Sequence, residues 1–186
     1  MTERAYIQDR KDETNLYASR EHFRRIFNED LDALYQLSFL LTRDPQKAEQ
    51  GFVSGVEDCV AGNPVFREWA RSWAKRAIIQ SAIRELKPRP GQSNSPPSTA
   101  IFLDTAQLSS VPATHFEIDA VLALEDYERF VFVMSILEHY SEHDCAVFLE
   151  CSVPEVRDAR TRALNDLAHS PHMNRSQDQM LVQEKK

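Results

Sequence analysis

The sequence predicts an all-α protein: two small helical domains, a three-helix bundle and a C-terminal helix-turn-helix, joined by a flexible linker. Three observations predict it. Glycine is scarce, with 4 in 186 residues, whereas strand-rich folds need many glycine-containing turns. Apolar residues recur three and four positions apart on both sides of the chain's middle, which is the period of a helix with one buried face. Between these regions lies a stretch read as a linker, 89–115, whose start, KPRPGQSNSPPSTA from Lys87, combines Pro, Ser, Asn and Gly with almost no apolar side chains.

Taken in order, residues 1–19 carry little apolar content and are expected to form a disordered arm. From Arg20 the pattern changes. Phe23, Ile26, Phe27, Leu31, Leu34, Tyr35, Ser38 and Leu41 fall at helical spacing and predict one amphipathic helix to about Leu41. Asp44-Pro45 is an N-cap followed by proline at the first helical position. It opens a second helix carrying Ala48, Phe52, Val56 and Val60, in which Gly51 and Gly55 are each expected to cost about 1 kcal/mol relative to Ala. Asn63-Pro64 repeats the start signal for a third helix to about Leu86, with Phe66, Trp69, Trp73, Ala77 and Ile83 on its apolar side. Three helices with short connections make a bundle over residues 20–88. Within the linker, Ile101, Phe102 and Leu103 read as a local anchor.

The second domain is expected over residues 116–169. Phe116 to Ala123 and Asp126 to His139 form one broken helix or two consecutive ones, with Val121, Leu124, Phe130, Val133, Met134 and Leu137 inward. Ser141 caps a short helix carrying Ala146, Val147 and Leu149, and Asp144 stands three residues on, where a capping acid belongs. After Glu150-Cys151-Ser152, the sequence Ser152-Val153-Pro154-Glu155 is a second capping box. Its helix reaches about Leu167, with Val156, Ala159, Ala163, Leu164 and Leu167 inward. Two short helices joined by a tight turn have the sequence form of a helix-turn-helix. The tail, 170–186, is polar and expected to be disordered.

Charge separates the halves. The formal net charge is -7, which by itself argues against a nucleic-acid partner. Yet Phe66 to Arg89 holds seven bases against two acids, while Phe116 to Ala168 holds four arginines against twelve acids. The three cysteines form no CxxC pair, so a disulfide framework is not expected and a reducing cytoplasm fits. The polar first twenty residues do not read as a signal peptide. The longest apolar stretch, Phe130 to Leu137, falls far short of the roughly 20 residues of a membrane span. His139, His143, Cys145 and Cys151 match no zinc spacing, and Glu57-Asp58 and Glu125-Asp126 are adjacent acids that point apart on a helix. No phosphate-loop, dinucleotide, HExxH or GxSxG motif is present, so neither an enzyme nor a cofactor is expected.

The order of these parts resembles the extracytoplasmic-function group of RNA polymerase sigma factors, which keep the domains called regions two and four. In the first domain the resemblance lies in Leu34 to Asp44, in Ala48-Glu49, in Phe66-Arg67-Glu68-Trp69 and in Ala74-Lys75-Arg76-Ala77-Ile78-Ile79. In the second it lies in Ser141 to Leu149, Ser152-Val153-Pro154-Glu155-Val156-Arg157, Arg162-Ala163 and Leu167. It implies a non-catalytic protein that binds core RNA polymerase, opens promoter DNA and can be held by an anti-sigma partner. The polymerase contact would fall on Glu49, Gln50, Val53 and Ser54; where the family presents acid, glutamine and acid this chain has Gln50, Val53 and Ser54, so the acidic contact is blunted. The strand-separating helix would bring Arg67, Arg71, Lys75 and Arg76 to phosphates. Trp69 and Trp73, at i and i+4, would stack on unpaired bases if exposed, or fill the core if not. In the recognition helix Ser152, Arg157, Arg160, Thr161 and Arg162 are the DNA contacts, or else solvated charges offset by Glu155, Asp158 and Asp166. The acidic second domain leaves an alternative: a sigma-like adaptor that binds polymerase or an anti-sigma partner without specific DNA recognition. The DNA reading requires arginines that face outward and are not consumed by neighbouring carboxylates.

Overall fold

The computed structural model describes residues 16–91 and 118–169. The expectations for residues 1–15, for most of the linker with its Ile101–Leu103 anchor, for Phe116 and for the tail lie outside those residues. The chain is all-α and divides into two compact units at Lys87.

Among the described residues the N-terminal unit has four helices and a 3-10 turn where residues 20–88 were expected to hold three helices: α1 (Arg20–Glu29), α2 (Leu31–Thr42), α3 (Pro45–Ala61), the turn Arg67–Trp69, and α4 (Ala70–Leu86). The single helix expected to Leu41 is interrupted at Asp30, whose backbone (φ -105°, ψ 21°) leaves the helical region. The heptad stride from Phe27 to Leu34 to Leu41 runs unbroken across the interruption, so periodicity carries no sign of it. At the break Arg71 of α4 pairs with Glu29 at 2.5 Å and also with Asp30. Nor does Asn63-Pro64 begin the last helix. Those residues belong to an extended crossing, and α4 is entered through the 3-10 turn behind Phe66.

Local capping follows the sequence elsewhere. Ser19 accepts from the His22 N–H at 3.2 Å, and Asp44 accepts from the Gln46 and Lys47 N–H groups at 2.8 and 3.2 Å. Residues 16–19, expected to be disordered, are tied down. The Ala18 N–H donates to the Val65 carbonyl at 2.7 Å, and the Tyr17 ring stacks on Phe66 with centroids 4.9 Å apart.

The core of this unit joins Phe23, Ile26 and Phe27 of α1 and Leu34, Leu37 and Leu41 of α2 to Ala74, Ile78 and Ile79 of α4. Helix α3 lies close against its neighbours through its two glycines. A Cβ on Gly51 would stand 2.8 Å from Ser38 Oγ, and one on Gly55 would stand 2.6 Å from Ile78 Cδ1. Both neighbours are buried, and Ser38 is further fixed by its hydrogen bond to the Ala48 carbonyl at 2.8 Å. The glycines therefore do more than weaken a helix. Gly55→Ala is expected to lower the stability of this unit, in urea unfolding, by about 1 kcal/mol: overpacking of roughly 1–3 kcal/mol outweighs a propensity gain of about 1 kcal/mol. A stabilised variant would mean that Ile78 moves aside freely.

The C-terminal unit contains α5 (Ile118–Ala123), α6 (Asp126–Phe132), a π turn (Val133–Leu137), α7 (Glu142–Leu149) and α8 (Val153–His169). The first expected segment thus resolves into two consecutive helices, and the second of them ends at Leu137 in a wider turn. Leu137 and Leu164, expected inward, are exposed, as is Val147. Both capping boxes form. Ser141 accepts from the Asp144 N–H at 3.1 Å, and the Glu155 carboxylate accepts from the Ser152 N–H at 2.8 Å. Between them Glu150 adopts the left-handed conformation (φ 51°, ψ 45°) that turns α7 into α8. The least expected core member is Arg129. Its side chain is fully buried and donates to Asp126 Oδ1 at 2.7 Å and to the Leu124 carbonyl at 2.9 Å.

Candidate nucleic-acid interface

The exposed side of α4 and the turn before it is built by alanines. Ala70, Ala74 and Ala77, with Ile78, fill the buried side of the helix. Because these small residues occupy the inward positions, Trp69 and Trp73 fall on the outward side. Trp69 is 57% exposed and Trp73 39%. Phe66, placed on the apolar side by spacing, is also exposed. Aromatic residues at helical spacing thus form a surface row here, with alanine making the core contact.

The row is ordered. Phe66 is stacked by Tyr17, and Trp69 meets the edge of Phe66 at 5.2 Å between centroids. Arg76 lies over the Trp73 ring, its Cζ 5.7 Å from the centroid, within cation–π range. Beside Tyr17 an open groove runs between Ser19, Phe23, Cys59 and Pro64. Basic groups border the aromatic row. Lys75 is exposed and Arg76 half-buried. Arg67 Nε donates to His22 Nδ1 at 3.2 Å, and Arg25 Nη2 reaches the same nitrogen at 3.1 Å. Burial, then the positive charges of Arg25 and Arg67, hold the His22 pKa below the ordinary histidine range. Nδ1 is the acceptor of the Arg67 hydrogen bond. Tyr17, His22 and Arg25 were invisible to sequence reasoning as members of this surface, because they come from the arm and α1 and meet α4 only in the folded unit.

Arg71 is outward but engaged with Glu29 and Asp30. The Asp30 carboxylate, first by its hydrogen bond and then by its charge, raises the Arg71 pKa above its ordinary value. Exposed ion pairs of this kind are weakly held and screened by salt, so a polyanion competes for the guanidinium.

The expected polymerase contacts share one outward face of α3. Glu49, Gln50 and Val53 are exposed and Ser54 is half-buried. Exposed Glu57 lies on the same stripe, four residues beyond Val53 and eight beyond Glu49. It restores an acid to a face that sequence spacing alone left depleted.

The recognition-helix set has a different fate. Arg157 donates to Glu142 at 2.9 Å, Arg160 stands 3.6 Å from the same carboxylate, and Arg162 donates to Glu128 at 2.9 Å. Hydrogen bonding from Arg157 is the main cause holding the Glu142 carboxyl below the usual carboxylate range. Ser152 is taken by the capping box with Glu155, and the Thr161 hydroxyl donates to the Arg157 carbonyl at 2.9 Å. Glu155, Asp158 and Asp166 are exposed on the same helix. The arginines face outward as the DNA reading requires, but all three are laced to carboxylates from α6 and α7, so the face is mixed in charge.

No protein-family model and no curated protein matches this chain.

The histidine–cysteine group does not converge. Cys145 is fully buried whereas His143, two residues away on α7, is exposed. Among the described residues no helix is long and apolar enough to cross a membrane.

Proposed function

We propose that the chain is a sigma-factor-like transcription-initiation protein, acting in the cytoplasm without cofactor, that binds core RNA polymerase through α3 and unpaired promoter DNA through the outward face of α4. The observation that carries this reading is the exposed row of Phe66, Trp69 and Trp73 bordered by Arg67, Arg71, Lys75 and Arg76. Stacking on aromatic rings suits bases that have lost their partners, because every base presents a π face. The cations supply phosphate neutralisation, which makes affinity fall with salt. Catalysis is not needed for such a role. A partner of the anti-sigma kind would act by covering one of these faces.

A second reading is favoured by one observation, the pairing of Arg157, Arg160 and Arg162 with Glu142 and Glu128. In that reading the C-terminal unit is an adaptor surface and reads no sequence. Pull-down with bacterial core polymerase, followed by promoter-opening assays, separates the two. Retained polymerase and opened promoter, lost when Arg157, Arg160 and Arg162 are changed to alanine, support the initiation factor. Retained polymerase with opening indifferent to those changes leaves the α4 face as the DNA contact and the helix-turn-helix as adaptor. Failure to bind polymerase at all overturns both. Glu142→Gln, which frees two arginines, is expected to strengthen duplex binding severalfold at low salt in fluorescence anisotropy.

A further inference from the structure

The stop of α7 sets Cys151 across a left-handed turn from the last turn of the helix, which carries Cys145. Glu150 turns the chain back in its left-handed conformation, and the Cys151 N–H donates to the Ala146 carbonyl at 3.0 Å. In a helix stop of this form the side chain after the left-handed residue packs on the last turn, against positions five or six residues earlier. Six residues before Cys151 is Cys145. The two thiols differ in setting. Cys145 is fully buried, and burial, followed by the charges of Asp144 and Cys151, pushes its pKa up to about 11. Cys151 is half-buried, and its sulfur accepts a hydrogen bond from the Tyr127 hydroxyl at 3.2 Å. Burial raises the Tyr127 pKa first, so the phenol stays a donor. One accessible, donor-supported sulfur beside a buried partner is the arrangement of an attacking and a resolving thiol.

We propose that Cys145 and Cys151 are a reversible dithiol–disulfide site in the turn of the helix-turn-helix, oxidised by hydroperoxides. The Cys151 sulfur attacks the terminal oxygen of the hydroperoxide, the S–O bond forms as the O–O bond breaks, and the thiol proton goes to the departing oxygen, leaving a sulfenic acid and an alcohol, or water from hydrogen peroxide. The Cys145 sulfur then attacks Cys151, an S–S bond forms, and the hydroxyl leaves as water with the Cys145 proton. Two thiols are oxidised by two electrons and one hydroperoxide is reduced. The cross-link ties the last turn of α7 to the cap of α8 and removes the thiol that Tyr127 holds. The site does not depend on the function proposed above.

The test uses the full chain, hydrogen peroxide as oxidant, an acid quench and alkylation under denaturing conditions. Two of the three thiols are expected to disappear, with a linked peptide joining Cys145 to Cys151 and full recovery in dithiothreitol. Cys59, buried in the other unit and pushed up to about 12 by burial, is expected to remain alkylatable. In Cys145→Ala, Cys151 is expected to stop at the sulfenic acid and be trapped by dimedone. Three intact thiols, or Cys151 driven to its sulfinic acid while Cys145 stays free in the wild-type chain, would overturn the proposal. The wild-type peptide map decides it even if the variant misfolds.

Discussion

Arg129→Ala is expected to unfold the C-terminal unit while leaving the N-terminal unit intact. The guanidinium is fully sealed from water and held by Asp126 Oδ1 and the Leu124 carbonyl. Removing it takes a buried charge partner from the carboxylate of Asp126, itself 8% exposed, and leaves the space of a fully buried side chain to be filled. Breaking a buried pair from one side costs about 3–5 kcal/mol, as much as many small domains possess in total. The measurement is clean because both tryptophans, Trp69 and Trp73, lie in the N-terminal unit. Tryptophan fluorescence should keep its wild-type urea midpoint while far-UV circular dichroism loses the helices of the C-terminal unit. Arg129→Met combined with Asp126→Leu removes both charges and is expected to recover most of the loss, as replacing buried pairs by apolar groups often does. A single-variant dichroism midpoint equal to wild type would show that the pair contributes nothing.

Single-stranded DNA should bind the chain with quenching of tryptophan fluorescence, and Trp69→Ala should weaken that binding about 5- to 150-fold, the equivalent of about 1–3 kcal/mol for one stacked base. Trp73→Ala should act in the same direction, and less strongly, because that ring is more covered and already engaged by Arg76. Neither change should disturb the fold, since the inward contacts of the helix are made by Ala70, Ala74 and Ala77. Lys75→Ala should lower affinity more evenly across sequences and reduce the salt slope by roughly 0.7, the value for one phosphate contact on a single strand. Unchanged affinity in the double tryptophan variant would remove the aromatic row from the DNA interface and leave the α3 face and the adaptor reading.

These two predictions rest on residues that the sequence treated differently. The tryptophans were legible as a pair on one helix face but not as surface, because i, i+4 spacing is the same for a buried stripe and an exposed one. What decided between them was the alanine row beside them, whose small side chains let α4 approach its neighbours. Arg129 was legible only as one cation among many acids, since nothing local marks an arginine whose partners are a carboxylate three residues back and a carbonyl five back. The arginines of α8 were legible as a row, and their partners were not. Glu142 is fifteen residues from Arg157, and Glu128 is thirty-four from Arg162.

By itself the sequence determined the helical class and the two capping boxes around the turn of the helix-turn-helix. Those features follow from rules acting within one or two turns: scarce glycine, helical spacing, and a hydroxyl three residues before an acid. Only the tertiary structure decided where the first helix breaks, which aromatics meet water, which arginine is buried and which carboxylates hold the others. Each depends on side chains far apart in sequence competing for the same space and charge, and the period of a single helix holds no record of that competition.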